Sequence, residues 1–146
     1  MAYEILSNEE YTDKVKQVLE WSKTSLNSLE ADDMAITSQI ADVSVFLGRV
    51  VRDEAETAIA LDILESQKRT SIREDKVSNG EKVTEKFLED SITKDQSVQE
   101  LRQLHAETKS RTIVVQNLMQ AISNSKRQFI ERNKERINHE IKRSYV

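Results

Sequence analysis

Two clusters of basic side chains are the residues of this sequence whose types and spacing could bind a charged ligand. Lys68, Arg69, Arg73 and Lys76 form the first cluster, near the middle of the chain. Arg69, Arg73 and Lys76 are spaced by four and three residues, so they would share one face of a helix. Cations on one face can bind phosphates and displace the counterions that surround a nucleic acid. This spacing therefore favours a contact surface for a phosphate backbone.

The second cluster fills the C-terminal end of the chain. Its members are Lys126, Arg127, Arg132, Lys134, Arg136, Lys142 and Arg143. Cations in the last turns of a helix also complement the helix dipole, so a purely structural interpretation stays open beside phosphate binding. Only Phe129 and Tyr145 could stack on bases here, and Phe129 is better explained as a core residue. Any nucleic-acid binding would thus be electrostatic and largely independent of base sequence.

Catalytic groups are harder to find. Acidic residues at helical spacing are plentiful, but a hydrolytic site needs two carboxylates that converge in a pocket with shifted pKa values. We interpret these residues as solvated helix faces: Asp53, Glu54, Glu56, Glu85, Glu89 and Asp90. The histidines, His105 and His139, make no metal-binding pair, and His105 is interpreted as a half-buried packing residue. The sequence has no cysteine and no glycine-rich phosphate loop. We therefore expect no enzyme activity, no metal and no cofactor.

The elements that must position these residues are helices. The sequence has 146 residues, no proline and two glycines, and it lacks strand signals, which predicts an all-α fold. A long final helix is predicted from about Asp95 to Tyr145. Residues at spacings of three and four define its apolar face, which polar residues interrupt: Leu101, Leu104, Thr108, Arg111, Val115, Leu118, Ile122, Ser125 and Phe129.

Capping signals place the other helices. Ser7 and Glu10 form a capping box for a first helix that would end near Leu29. Asp32 or Asp33 would cap a second, long helix. Its predicted seam is Ile36, Ile40, Val43, Leu47 and Val50. The sequence Ser78-Asn79-Gly80 predicts a reversal, after which Thr84 would cap a short helix, and Thr93 or Asp95 would start the final one.

Two long helices with short accessory helices most simply form an antiparallel hairpin within a single domain. We expect an N-terminal helix in residues 1–30 and the hairpin in residues 31–146. Contacts within a hairpin cover one stripe of each helix, and the apolar residues left over predict a homo-oligomer. The candidate interface residues are Val45, Phe46, Val51, Val114 and Met119.

Charge is distributed unevenly along the chain, which has a net charge of −4. Residues 1–64 carry five basic and thirteen acidic side chains, whereas residues 65–146 carry 17 basic and 13 acidic side chains. The acidic half would repel DNA and favours contacts with proteins instead. No basic N-terminal region precedes an apolar run, and no apolar stretch approaches the length of a membrane span. A soluble, intracellular, cytoplasmic protein is expected, without membrane contact.

Three segments together resemble the phage recombination-mediator family typified by UvsY. They are Lys82-Val83-Thr84-Glu85-Lys86-Phe87-Leu88-Glu89, Thr93-Lys94-Asp95-Gln96-Ser97-Val98 and Ala121-Ile122-Ser123-Asn124-Ser125-Lys126-Arg127-Gln128-Phe129-Ile130. The stretch Glu65-Ser66-Gln67-Lys68-Arg69 is similar to the basic stretch late in that family's first long helix. The resemblance covers roughly residues 30–130.

The resemblance implies an accessory protein of homologous recombination. Such mediators assemble into rings, bind single-stranded DNA, weaken the hold of the single-strand-binding protein and help a RecA-type recombinase to load. It implies DNA-phosphate contacts by Lys68, Arg69 and Arg73, with Lys126 and Arg127 as further candidates, in the host cytoplasm if the protein is phage-encoded. The alternative hypothesis is a non-enzymatic helical adaptor or structural coiled coil of a phage, such as an assembly factor or a host-defence inhibitor.

Overall fold

Helices make up most of the residues that the structure, a computed structural model, describes: 3–27 and 33–144. Within these ranges there are four helices, α1 (Asn8–Asn27), α2 (Asp33–Ser78), α3 (Glu85–Lys94) and α4 (Gln96–Ser144), and no strand. The predicted all-α class is therefore confirmed for this part of the chain. The predictions at Leu29, Asp32 and Tyr145, and the boundary between residues 30 and 31, lie outside the described residues.

The start of α1 and the turn after α2 lie where the sequence places them. The Ser7 hydroxyl accepts a hydrogen bond from the Glu10 backbone N–H at 3.1 Å, which is one half of the predicted capping box. Helix α2 ends at Ser78. Gly80 follows with a φ of 74°, in the left-handed region that glycine enters without a Cβ clash, and its N–H donates to the Val77 carbonyl at 3.0 Å.

Helices α3 and α4 each begin at a side-chain cap. The Thr84 hydroxyl accepts a hydrogen bond from the Phe87 N–H at 3.2 Å, as predicted. The Asp95 carboxylate accepts one from the Val98 N–H at 3.1 Å, and α4 begins at the next residue. Of the two predicted starts, Asp95 is therefore the cap of the final helix and Thr93 is not.

The chain divides into two compact units. Unit 1 comprises Met1–Ile5 and Val50–Thr112, and unit 2 comprises Leu6–Arg49 and Ile113–Val146. Both long helices continue through the division, so each contributes residues to both units.

The predicted faces of α2 and α4 are buried. Six members of the α4 face are buried and three are half buried. The buried ones are Thr108, Arg111, Val115, Leu118, Ile122 and Ser125; the half-buried ones are Leu101, Leu104 and Phe129. On α2, Ile36, Val43 and Val50 are buried, and Ile40 and Leu47 are half buried. Helical periodicity therefore identified the packed side of both helices.

An aliphatic core holds unit 2 together. It consists of Val18 from α1, Val43 from α2, and Leu118 and Ile122 from α4, none more than 9% exposed. Partly buried side chains surround this core: Val15, Trp21, Ile40 and Met119. The core therefore draws on three helices.

Unit 1 contains a buried polar layer. Thr57 and Thr108 are fully buried, and their hydroxyls lie 2.9 Å apart, while the Thr57 hydroxyl lies 3.1 Å from Nδ1 of the half-buried His105. The Asp53 carboxylate is also fully buried and accepts a hydrogen bond from the Tyr3 hydroxyl at 2.9 Å. The interpretation of Asp53 as part of a solvated face was therefore wrong, whereas His105 is half buried, as expected. Hydrogen bonding offsets the cost of burying these polar groups.

Candidate nucleic-acid interface

The first basic cluster lies on the C-terminal part of α2, in unit 1. Lys68, Arg69, Arg73 and Lys76, called the basic strip below, each keep between 31% and 53% of the side chain exposed. Solvent therefore reaches part of all four side chains. The structure brings these predicted residues together on consecutive turns of one helix, within reach of α3.

The two arginines of the basic strip share carboxylates on α3. Arg73 Nη2 lies 2.8 Å from Glu85 Oε1, and Arg69 Nη1 lies 3.5 Å from the other oxygen of Glu85. Arg69 also forms an ion pair with Glu89, one turn further along α3. The hydrogen bond to Glu89 raises the pKa of Arg69 against the effect of burial, and the charges of Glu89 and Glu85 add to the rise. Two guanidinium groups and two carboxylates thus form one connected charge network.

The two lysines of the basic strip are also paired. Lys76 forms an ion pair with Glu81, and its ammonium lies 4.6 Å from the centre of the Phe87 ring. Lys68 Nζ lies 3.1 Å from Asp95 Oδ2. We call the four partner carboxylates, from Glu81, Glu85, Glu89 and Asp95, the acidic segment. Every cation of the basic strip therefore has a carboxylate partner from the acidic segment.

Asp95 differs from the other carboxylates because it also caps α4. The Val98 N–H and the Lys68 ammonium both favour the ionised form, and they hold the pKa of the Asp95 carboxyl below its ordinary value of 3.8. A carboxyl whose pKa is lower in the folded state stabilises the fold above its unfolded pKa. That contribution is lost as the pH falls through the folded pKa, below 3.8.

We expect Asp95→Ala to lower the free energy of unfolding at neutral pH, and the difference from the wild type to narrow in acid. Urea unfolding at about pH 7 and about pH 3 measures both differences. Asp90→Ala is the matched control, because Asp90 is exposed on α3 and forms no ion pair among the described residues. If Asp95→Ala lowers the free energy of unfolding by the same amount at both pH values, the stabilising role of the ionised Asp95 carboxylate would be contradicted.

The second basic cluster lies in unit 2. Lys126 is half buried and donates a hydrogen bond to the Thr37 hydroxyl at 3.2 Å, whereas Arg127 is exposed. The remaining cations of the cluster are exposed on α4: Arg132, Lys134, Arg136, Lys142 and Arg143. Phe129 is half buried, and Tyr145 lies outside the described residues. Lys126 and Arg127 therefore belong to a different unit from the basic strip.

The candidate interface residues divide by exposure. Val45, Val51 and Val114 are exposed, at 74%, 43% and 37%. Phe46 is instead buried at 6% exposure, with its ring centre 6.0 Å from that of Tyr11. Met119 is half buried beside the core of unit 2. The sequence pattern assigned Phe46 and Met119 to the candidate interface because it did not show how α1 covers this side of α2 and α4.

The acidic segment is the part of the site that sequence analysis missed. Glu85 and Glu89 were interpreted as a solvated face; they are exposed, but both are ion-paired. A signal was present, because Glu81, Glu85 and Glu89 repeat every four residues, close to the spacing of the basic strip. The Asn79-Gly80 turn between the two series allows them to face each other.

Two further searches of the described residues concern metals and membranes. Residues 3–27 and 33–144 contain no group of three or more His, Asp or Glu side chains placed to hold a metal ion. In the same residues, none of the helices combines the length and the apolar character that crossing a bilayer requires.

Comparison of the chain with models of known protein families, with curated proteins and with solved structures finds no match.

Proposed function

We propose that this chain is a non-enzymatic recombination mediator that binds single-stranded DNA and assists the loading of a RecA-type recombinase. The observation that carries this proposal is the basic strip, whose four partly exposed cations lie along one helix. Exposed ion pairs are weak and are screened by salt, so phosphates can exchange with the partner carboxylates. The resemblance to the UvsY-type mediators supports the same function.

Binding through one strip of four cations would be weak, and the proposed mechanism therefore includes a homo-oligomeric ring. Repeating the strip around a ring raises the overall affinity without any new contact. The exposed valines Val45, Val51 and Val114 support subunit contacts, because solvated apolar side chains gain stability when another subunit covers them. The acidic N-terminal half would contact the recombinase and the single-strand-binding protein, in the cytoplasm.

Within each unit, we propose that the segments of α2 and α4 pair in an antiparallel hairpin. Several contacts support this arrangement. Along them, residue numbers rise on α2 while they fall on α4. In unit 1 they are Val50 with Thr112, Thr57 with His105, Glu65 with Arg102 and Lys68 with Asp95. In unit 2 they are Thr37 with Lys126 and Ser44 with Met119.

The alternative function is a helical adaptor or structural coiled coil, such as a phage assembly factor or a host-defence inhibitor. One observation favours it: every cation of the basic strip has a carboxylate partner in its own chain. On this alternative, the strip serves only to hold α3 against α2.

Titration of a labelled oligothymidine with the purified protein separates the two functions. Four phosphate contacts predict that log K falls with log salt with a slope of about −3 for a strand that contacts one subunit, at about 0.7 for each contact on a single strand, and with a steeper slope for a strand that contacts several subunits. Native mass measured in the same buffer should be a multiple of the single-chain mass. Absence of binding at about 50 mM salt would leave the adaptor, and a monomeric mass would contradict the ring.

A further inference from the structure

The acidic segment and the basic strip match each other closely. Glu81, Glu85 and Glu89 repeat every four residues, and each is ion-paired with a strip cation at a similar spacing. Carboxylates repeated along a segment present to the strip the same kind of group as a phosphate backbone: regularly spaced anions that accept charge-assisted hydrogen bonds. In the structure, the acidic segment therefore occupies the surface that the DNA phosphates would need.

From this match we propose that the acidic segment is a built-in competitor of DNA. Its carboxylates occupy the basic strip in the free chain, and single-stranded DNA binds by displacing them. This inference rests on the proposed function and adds to it the way in which the same surface is regulated.

Displacement does not require α3 to unfold, because α3 is anchored through its other side. Leu88 and Ile92 are 1% and 0% exposed, whereas the side chains of Glu85 and Glu89 are 73% and 55% exposed. The apolar residues hold the helix in place, while the carboxylates can rotate into water at little cost. The ion pairs can therefore open while the backbone of α3 stays docked.

Asp95 is the fixed member of the acidic segment. Its carboxylate also accepts the hydrogen bond from the Val98 N–H that caps α4, so releasing it would cost the cap as well. The exchangeable carboxylates are therefore those of Glu81, Glu85 and Glu89, and the cations that they release are Arg69, Arg73 and Lys76. Lys68 keeps 38% of its side chain exposed, and its ammonium has three N–H donors, so it can contact a phosphate without leaving Asp95.

Competition of this kind selects for long polyanions. A single phosphate can replace one carboxylate and gains little, because the neighbouring carboxylates stay close to the strip at a high effective concentration. A nucleic-acid strand presents several phosphates at once and can replace all three carboxylates together. The site would thus discriminate an extended strand from mononucleotides and inorganic phosphate.

The test compares a double variant of the acidic segment with a control of equal charge. We expect Glu85→Gln/Glu89→Gln to bind oligothymidine about tenfold more tightly than the wild type at about 50 mM salt, because three exposed ion pairs no longer compete. The control, Glu74→Gln/Asp90→Asn, removes two exposed carboxylates without an ion pair among the described residues, and we expect a change of less than about twofold. Circular dichroism checks that both variants keep their helices.

The outcomes separate this inference from the function on which it rests. If the wild type and both variants all fail to bind oligothymidine at low salt, the proposed function is wrong. If the wild type binds, and Glu85→Gln/Glu89→Gln binds no more tightly than the control variant, the function stands and the competition does not. Weaker binding by Glu85→Gln/Glu89→Gln would overturn the competition too, since the carboxylates would then be organising the strip for DNA.

Discussion

Replacing Lys68, Arg69 and Arg73 together by alanine is expected to lower the affinity for single-stranded DNA by about a hundredfold at about 0.1 M salt. Each phosphate contact contributes about 0.7 to the slope of log K against log salt. For a strand that contacts one subunit, three lost contacts therefore flatten the slope by about 2, which corresponds to about two decades of affinity between 1 M and 0.1 M salt. Fluorescence anisotropy of a labelled oligothymidine over a series of salt concentrations measures both quantities.

The matched control for this variant is Lys16→Ala/Lys23→Ala/Lys109→Ala. It removes the same number of positive charges from exposed positions outside both basic clusters. We expect its salt slope to stay at the wild-type value, because general attraction between charges is distributed over the surface and phosphate contacts are local. Equal losses in the two triple variants would show that net charge, and not the basic strip, determines binding. The free energy of unfolding should change little in either variant, because exposed ion pairs contribute little stability.

Ile122→Ala is expected to cause the largest loss of stability among the substitutions considered. Ile122 is 2% exposed and lies in the core of unit 2 with Val18, Val43 and Leu118. Truncating a buried isoleucine removes apolar contacts and leaves a cavity, at a cost of about 2–5 kcal/mol in the free energy of unfolding. Urea unfolding followed by circular dichroism measures this loss.

Ile137→Ala is the control for the core substitution. Ile137 is on the same helix and is 50% exposed, so the same truncation should change stability by no more than about 0.5 kcal/mol. If the two substitutions cost the same, the described core of unit 2 would be wrong.

The features of the fold that could be predicted from the sequence were the local ones, namely helix faces and helix caps. Spacings of three and four identified the buried face of α4, and residue types identified the caps at Ser7, Thr84 and Asp95. Both kinds of signal depend on residues within one or two turns of each other. Asp53 was wrongly assigned to a solvated face because the prediction relied on its charge. Its position between Val50 and Thr57 places it on the packed face of α2.

The parts that sequence analysis missed depend on contacts between distant segments. The basic cluster was found from its spacing, but its pairing with Glu81, Glu85 and Glu89 depends on how the Asn79-Gly80 turn orients α3. The division into two units was not predicted either, because α2 and α4 continue through it without a glycine-rich or proline-rich boundary.

The central claim is that DNA lies on the basic strip, and protection of lysines from acetylation tests it most directly. Lys68 and Lys76 belong to the strip, while Lys16 and Lys23 are exposed on the acidic helix α1. With saturating oligothymidine at low salt, we predict slower acetylation of Lys68 and Lys76 and an unchanged rate at Lys16 and Lys23. Unchanged rates at Lys68 and Lys76 while the DNA is bound would contradict the claim.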